Sequence, residues 1–362
     1  MEAELGWSRA DLNGALTAGL LAAGLGSIPA GALVDRYGGR VLMTGGAVFG
    51  AVCLALWSQV ETLPAFYLVW IGIGLATAAS VQDLPFAVVT ANVADYRRAI
   101  TNVTLLAGLS STVFLPLTSL LIADFGWRTA LLALAAIHLL GPGIVSFVVL
   151  RGTVGSRTAE VVAPGVRDGS PMLAALKRPA FWGLALCFGT QSFAFTAVSF
   201  HGIPLLQERG VPLGVIVAGL ALIGPSQLVG RLGLLIVGPR ISARTLGRII
   251  TPFLPVAMLL LLVVPPWGLP GLALFALVFG LGNGIVTIVR ATGIAEILGT
   301  RGYGAVTGAM NMILMVPRTA APLAVAAAWE LRGNYEGAIW MMVSLTAAGA
   351  VAFWLASMQR RG

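Results

Sequence analysis

The sequence predicts an all-α polytopic membrane protein, and its composition and its long apolar stretches are the two observations that predict it. Of the 362 residues, 58% are hydrophobic and only 10% are charged, whereas a soluble domain carries about 25% charged residues. Uncharged stretches near the roughly 20 residues that a helix needs to cross a bilayer recur along the chain. Because these stretches are continuous and do not alternate, a transmembrane β-barrel is excluded.

The apolar stretches predict eleven membrane-spanning helices. The uncharged stretch 249–289 counts as two of them, because the proline-rich segment 263–271 breaks the helix. Single charges at Asp83, Arg290 and Arg318 lie within three others. The predicted spans are 10–34, 40–59, 63–92, 98–123, 127–150, 179–207, 211–237, 245–265, 269–297, 302–330 and 336–358.

The basic residues are concentrated on one side of the predicted spans. If residues 35–40 are cytoplasmic, the cytoplasmic segments hold fifteen of the 22 Lys and Arg residues, and the outer segments hold four. This bias predicts a cytoplasmic C-terminus by the positive-inside rule. The net charge of +8 therefore reflects topology, and no nucleic-acid partner is expected.

The second half of the chain repeats the first at an offset of 200 residues, which drifts to 206. Residues 18–20 and 218–220 both read Ala-Gly-Leu, and Pro116 aligns with Pro322. Transporters are often built from such duplicated bundles. The repeat predicts an N-terminal bundle at 1–150, a basic cytoplasmic linker at 151–178 and a C-terminal bundle at 179–362.

The repeat also predicts a helix that would precede this chain. The first helix of the second bundle, 179–207, has its counterpart before residue 8. We therefore expect two pseudo-repeated bundles with five plus six spans here and six plus six in the intact protein. A start-site error, a truncation or a genuine absence of this helix would each give that pattern.

A spaced motif of glycines and charges stands between the first two predicted spans. It consists of Gly31, Asp35, Arg36, Gly38 and Arg40. Gly31 permits close helix approach, and Gly38 permits a tight turn. The Asp35 carboxylate suits a basic partner or the amino end of a helix. An ordinary basic loop is the simpler explanation, but agreement at five spaced positions disfavours it.

This motif resembles the signature of the major facilitator superfamily, and every signature position matches. The resemblance implies two six-helix bundles around a central cavity that opens alternately to each side, with the motif as a cytoplasmic gating loop. It also implies that the spans 63–92, 179–207 and 269–297 line the cavity. Five further segments resemble the bacterial monocarboxylate-porter-like branch: GWSR (6–9), RRAITNVTLLAGLSSTVFLPLT (97–118), GWRTAL (126–131), FHGIPLLQERG (200–210) and GPSQLVGRL (224–232).

Charged side chains within the predicted spans are candidates for substrate binding, because they are costly to place in a membrane. Arg290 either clamps a substrate carboxylate through paired hydrogen bonds or forms a structural ion pair with Asp83. Asp83 in turn either carries a proton or pairs with an arginine. The sequence leaves both alternatives open.

Three further spans contribute candidate residues. Gln227 and Arg231 share a helix face, and the resemblance implies an Asp–Arg pair there, so Gln227 weakens the case for proton coupling. Arg231 is then either an anion ligand or an arginine that snorkels to the cytoplasm. Arg318, beside Pro317, is either a substrate or gating residue or a donor to backbone freed by the proline. His201, near the outer end of its helix, is a candidate substrate ligand or proton carrier.

These observations predict a monomeric secondary active transporter in the bacterial cytoplasmic (inner) membrane. The three arginines within the spans, against one carboxylate, favour a small organic anion of monocarboxylate type as substrate. Symport with protons would depend on Asp83. The alternative is a proton-driven multidrug or small-molecule exporter, which requires acids within the membrane. No nucleotide-binding, hydrolase or metal-ligand motif is present, so no enzymatic activity, cofactor or metal site is expected.

Overall fold

The computed structural model describes residues 2–81, 83–108, 110–153, 171–237, 241–263 and 265–359. Within these ranges the regular secondary structure is entirely helical, which confirms the predicted all-α fold. The described ranges contain seventeen α-helices, and a π-helical turn at Leu139–Gly143 continues α7 into α8. The helix expected to precede this chain stays a prediction.

The helices follow the apolar stretches of the sequence. Their bounds are α1 (Glu2–Leu5), α2 (Arg9–Tyr37), α3 (Gly39–Trp57), α4 (Leu63–Ser80), α5 (Leu84–Asn92), α6 (Tyr96–Gly108), α7 (Ser110–His138), α8 (Ile144–Val149), α9 (Pro171–Leu176), α10 (Pro179–Glu208), α11 (Leu213–Ala221), α12 (Ile223–Val237), α13 (Ala243–Ile250), α14 (Phe253–Val263), α15 (Gly268–Leu298), α16 (Tyr303–Arg332) and α17 (Glu336–Met358).

Ten stretches of the described residues are long and apolar enough to cross a membrane, where the sequence predicts eleven. The difference lies between residues 96 and 150. The stretch Pro116–Val149 covers the predicted span 127–150 and the end of the span 98–123, while α6 has only 13 residues and carries Arg97 and Arg98 in its first turn. Gly126, with φ 75°, interrupts α7 at the boundary that the sequence predicts.

The described chain divides into two compact units. The first contains Met1–Ala94, Leu109–Met172 and Thr300–Met312. The second contains Asp95–Gly108, Leu173–Gly299 and Ile313–Gly362. The first unit therefore includes the start of α16, and the second includes α6. The predicted bundle boundaries stay a prediction, and most of the predicted linker, 154–170, lies outside the described residues.

Small residues bring the helices of each unit close together. In the first unit, α2 and α4 approach so closely that a Cβ on Gly19 would lie 2.7 Å from the Trp70 carbonyl oxygen. In the second unit, a Cβ on Gly284 of α15 would lie 2.6 Å from the carbonyl oxygen of Gln227 in α12. Small residues are typical of membrane-helix interfaces, because association there depends on close van der Waals packing.

Candidate functional site

The motif around Asp35 forms a helix end and a sharp turn, and the expectation of a loop at 35–40 is corrected. Helix α2 continues through Tyr37, and α3 begins at Gly39. Only Gly38 lies between them, with φ 79° and ψ 175°. A positive φ strains residues that carry a Cβ, so one glycine is enough to make the predicted tight turn.

The Asp35 carboxylate caps the start of α16 within the first unit. Its Oδ1 accepts a hydrogen bond from the backbone N–H of Gly304 at 3.0 Å, and its Oδ2 accepts one from Ala305 at 2.8 Å. Asp35 is only 3% exposed. The first N–H groups of a helix lack partners within it, and the helix dipole favours a negative charge there. The amino end of a helix is thus one of the two partners expected for Asp35.

Glycines allow α2 and α16 to come close enough for this cap. A Cβ on Gly31 would overlap the carbonyl oxygen of Gly304, and a Cβ on Gly308 would overlap that of Ser27. The Ser27 hydroxyl also donates to the Gly308 carbonyl oxygen at 2.8 Å. The close helix approach predicted for Gly31 is therefore confirmed, with α16 as the partner helix.

The two arginines of the motif contact aromatic rings of the first unit. Arg40 Nε donates to the Phe147 carbonyl oxygen at 3.0 Å, and its guanidinium carbon lies 4.3 Å from the centroid of the Phe147 ring. Arg36 lies 5.1 Å from the ring centroid of its neighbour Tyr37. Arg40 thus attaches the start of α3 to α8 by a hydrogen bond and a cation–π contact.

A second buried carboxylate, Glu296 at the end of α15, forms a related contact in the second unit. It is 7% exposed. One oxygen accepts from Arg97 Nη2 at 2.6 Å and from the backbone N–H of Ala243, the first residue of α13, at 2.9 Å. The other lies 3.8 Å from Arg244 Nε. Glu296 therefore joins α6, α13 and α15, and the sequence analysis did not select it.

Arg231 of α12 donates to backbone carbonyl groups of two neighbouring helices. Its Nη1 donates to the Thr104 carbonyl oxygen of α6 at 2.9 Å, and its Nε to the Gly284 carbonyl oxygen of α15 at 3.5 Å. A Cβ on Gly108 would overlap Nη1, so α6 packs closely against this side chain. The anion-ligand role expected for Arg231 and Gln227 stays a prediction.

Asp83 lies at a break between two helices of the first unit. Helix α4 ends at Ser80 and α5 begins at Leu84, so the predicted span 63–92 is interrupted. Pro85, the second residue of α5, explains the break, because proline cannot donate the backbone hydrogen bond that a continuous helix needs. The Asp83 side chain is 8% exposed and occupies the N-cap position of α5.

The other two intramembrane candidates lie in the second unit. Arg290 belongs to α15 and Arg318 to α16, directly after Pro317. Both residues belong to the same compact unit. This part of the second unit therefore concentrates positive charge within apolar helices.

His201 takes part in a hydrogen-bonded cluster where α10, α16 and α17 meet. Its Nε2 lies 3.0 Å from the Pro322 carbonyl oxygen, and its Nδ1 lies 3.2 Å from the Tyr335 hydroxyl. Because a carbonyl oxygen only accepts, Nε2 donates in the first of these contacts, and Nδ1 is left to pair with the Tyr335 hydroxyl. Glu208 accepts from the backbone N–H of Tyr335 at 2.8 Å and from Trp329 Nε1 at 2.6 Å.

This cluster affects both His201 and Tyr335. Burial, and then the Glu208 carboxylate, raise the pKa of the Tyr335 hydroxyl, so that it remains a hydrogen-bond donor. Both ring nitrogens of His201 already have partners. The expected role of His201 in binding substrate or carrying a proton stays a prediction, and it requires one of these hydrogen bonds to break.

Two uncharged polar side chains that the sequence analysis missed face each other between α10 and α15. Gln191 Nε2 donates to Asn283 Oδ1 at 3.4 Å, and Asn283 Nδ2 donates to the Phe279 carbonyl oxygen at 2.9 Å. Asn283 is 5% exposed. An amide within an apolar helix was the available signal, because its buried polar atoms need hydrogen-bond partners.

Comparison with known sequences gives two matches. A sequence profile described as the Major Facilitator Superfamily matches residues 1–322. A protein named MFS-type efflux pump from Mycolicibacterium smegmatis is 31% identical over 218 residues, which are 55% of this chain and 48% of that protein. The chain thus spans about half the length of this curated relative.

Comparison with solved structures gives the same fold at low sequence identity. The fucose:proton symporter FucP of E. coli has a TM-score of 0.70 and 13% identity, covering 96% of this chain and 91% of its own. The human organic anion transporter MFSD10 has a TM-score of 0.71 and 19% identity, covering 98% and 87%. At these identities the likeness establishes the fold alone.

Proposed function

Because the chain belongs to the Major Facilitator Superfamily, we propose that it is a secondary active transporter that moves a small organic anion across a bilayer by alternating access. The substrate that we propose is of monocarboxylate type. We place the protein in the bacterial cytoplasmic membrane as a monomer with a cytoplasmic C-terminus, following the distribution of basic residues.

The observation that carries the proposal is the placement of Arg290 and Arg318 within the apolar helices α15 and α16 of the second unit. A positive charge is costly within a membrane. A bound anion compensates positive charge, and guanidinium groups bind carboxylates through paired, charge-assisted hydrogen bonds. These two arginines therefore form the substrate site, and the amides of Gln191 and Asn283 are further candidates to orient the substrate.

The contact between Asp35 and α16 supplies the gate in this proposal. The motif lies on the cytoplasmic side if the positive-inside assignment holds. The Asp35 cap would keep the cytoplasmic ends of α2 and α16 together in one state and release them in the other. Alternating access needs such a contact, which forms in one state and breaks in the next.

Asp83 is the residue to which we assign proton coupling. It is a buried carboxylate at a helix break, where unwound backbone in membrane transporters commonly forms ion sites. Replacement of Asp83 by Asn would then uncouple transport from the pH gradient and leave exchange of substrate across the membrane intact. Loss of exchange together with coupling would contradict this assignment.

Uptake of a labelled monocarboxylate into proteoliposomes tests the anion proposal. We expect saturable uptake by the wild-type protein and a loss of about tenfold or more in Arg290→Ala and in Arg318→Ala, because each removes a charge-assisted contact. Arg332→Ala, which removes an exposed arginine at the end of α16, is the matched control and should transport normally. Full uptake by the Arg290→Ala protein would contradict the proposed site.

A second candidate function is export of small molecules by proton exchange. The relative from M. smegmatis, which is named an efflux pump, favours it. Uptake of a cationic dye into inverted vesicles, which is the direction of export from the cell, separates the two functions. Dye export that Asp83→Asn abolishes, without any carboxylate flux, would support export and refute the anion proposal.

A further inference from the structure

A small pocket with both polar and apolar lining residues lies inside the second unit, between α10, α15, α17 and the junction of α13 with α14. Its volume is about 10 Å³. A polar cavity of about this size holds one water molecule, which typically makes about three hydrogen bonds. The polar side chains that line it are Cys187, Thr190, Gln191, Thr251 and Thr346.

Thr251 is the group that points to a bound molecule. It is 4% exposed, and its hydroxyl has no hydrogen-bond partner among the described residues. Together with Pro252 it separates the end of α13 at Ile250 from the start of α14 at Phe253. A buried hydroxyl without a partner is destabilising, and proteins usually satisfy such groups with a protein atom or an ordered water.

The hydroxyl groups of the two other threonines in the pocket already donate hydrogen bonds to backbone carbonyl groups. The Thr190 hydroxyl donates to the Cys187 carbonyl oxygen at 3.0 Å, and the Thr346 hydroxyl donates to the Met342 carbonyl oxygen at 2.7 Å. A hydroxyl has one proton and two lone pairs, so these two oxygens can only accept a further hydrogen bond. Two acceptors and the free Thr251 donor match one water, which donates twice and accepts once.

At the same junction of α13 with α14, a backbone carbonyl oxygen that lacks its helical donor accepts a hydrogen bond from α17. Pro252 has no N–H for the Arg248 carbonyl oxygen four residues earlier, and Trp354 Nε1 donates to that oxygen at 3.0 Å. Pro255 likewise has no N–H for the carbonyl oxygen of Thr251. The junction of α13 and α14 therefore depends on partners from outside its own helix.

We propose that this pocket binds one water molecule, which bridges Thr251 to Thr190 of α10 and Thr346 of α17. A sodium ion does not fit, because none of the lining residues is a carboxylate and a buried cation needs compensating charge. The water completes the hydrogen bonding of the break and connects three helices of the second unit.

Millisecond X-ray radiolysis of the whole protein tests this site. Hydroxyl radicals formed from a buried water oxidise the side chains beside it, and mass spectrometry measures the oxidation of each residue. The chain supplies an internal control. Cys187 lines the pocket and is 4% exposed, whereas Cys53 is 3% exposed and lies in the other unit. We expect Cys187 to be oxidised about fivefold faster than Cys53, since their bulk exposure is matched.

Two variants then test which side chain holds the water. Thr251→Val keeps the side-chain volume and should slow Cys187 oxidation about fivefold, the effect of losing one hydrogen bond. Thr292→Val removes a buried hydroxyl that bonds the Ile288 carbonyl oxygen of its own helix, and should change nothing.

Equal oxidation of Cys187 and Cys53 in the wild-type protein would overturn the proposal without any variant. An unchanged rate in Thr251→Val would overturn the bridge. If Thr251→Val does not fold, Thr346→Val removes an acceptor of the same water and should give the same decrease.

Discussion

Two buried carboxylates, one in each unit, cap the start of a helix with different sets of donors. Asp35 accepts from two backbone N–H groups of α16, at 3.0 and 2.8 Å. Glu296 accepts from one backbone N–H group of α13 and from the side chain of Arg97, at 2.9 and 2.6 Å, with Arg244 nearby. The first contact joins a carboxylate to a rigid helix end, and the second joins it mostly to flexible side chains.

This difference indicates how each contact can break. Backbone donors cannot follow the carboxylate, so the Asp35 cap exists only while the glycines hold α2 and α16 close together. The arginine side chains can follow Glu296 over some distance, and the Arg97 side chain is 38% exposed. The Asp35 contact therefore suits a gate with two states, whereas the Glu296 contact suits an attachment that adjusts to movement.

The largest effect should come from preventing the close approach at Asp35. In Gly31→Val, the new side chain would overlap the backbone of Gly304, which has no flexible part to yield. Overpacking of this kind costs about 1–3 kcal/mol, so we expect transport to fall about tenfold to hundredfold. Gly45→Val is the matched control, because a Cβ there meets nothing within 4 Å. Normal transport by Gly31→Val would show that the approach is dispensable.

Removing each charge in turn compares the two caps directly. Asp35→Asn should lower the free energy of unfolding by about 1.5–3 kcal/mol, because two charge-assisted hydrogen bonds are weakened. Glu296→Gln should cost about 1 kcal/mol or less, since water can solvate the partly exposed Arg97 and Arg244. Thermal unfolding in detergent measures both, and a larger loss in Glu296→Gln would reverse the comparison.

Salt should affect the two caps unequally. Raising the ionic strength from about 0.05 M to about 0.5 M shortens the screening length severalfold. The difference in stability between wild type and Glu296→Gln should therefore shrink, because its arginines are partly in water. The difference for the buried Asp35 should stay nearly constant, and equal salt dependence of the two variants would argue against this distinction.

The smallest effect concerns an exposed carboxylate near the N-terminus, which accepts hydrogen bonds from two side chains. Glu4 accepts from Trp127 Nε1 at 2.5 Å and from Arg128 Nε at 3.1 Å. The Trp127 hydrogen bond, and then that of Arg128, lower the pKa of Glu4 below its ordinary 4.5. The contact therefore stabilises the fold above that value, and the stabilisation is lost as the pH falls through the lowered pKa.

Tryptophan fluorescence during acid titration would detect this release of Glu4. Glu4→Gln should remove the transition and leave the rest of the titration unchanged. A transition that persists in Glu4→Gln would assign it to another group.

The sequence predicted the parts of the molecule that depend on local pattern. Apolar length and composition were sufficient for the all-α fold, because a helix that crosses a membrane satisfies its own backbone hydrogen bonds. The Asp35 motif was also recognisable, because its five positions lie within ten residues. The break at Asp83 was missed even though Pro85 is visible in the sequence, since a proline also occurs inside continuous membrane helices such as α10.

Contacts between distant residues were not predictable in this way. Glu296 lies 199 residues from Arg97, and Gln191 lies 92 residues from Asn283. Nothing in the pattern of either segment specifies its partner, because the contact follows from how helices pack in three dimensions. The partner helix of Asp35 was unknown for the same reason, although its chemical nature was expected.

In the central claim of this account, an organic anion opens the contact between α2 and α16 that the Asp35 cap holds closed. The accessibility of Ser27 to a labelling reagent tests this claim most directly. Ser27 is 4% exposed between α2 and α16. A Ser27→Cys protein, with Cys53 and Cys187 replaced by Ser, would be labelled with a maleimide in proteoliposomes. We predict that a monocarboxylate accelerates labelling, that a cationic dye does not, and that Asp35→Asn gives fast labelling without substrate. A labelling rate that the monocarboxylate does not increase, or that the dye increases instead, would contradict the account.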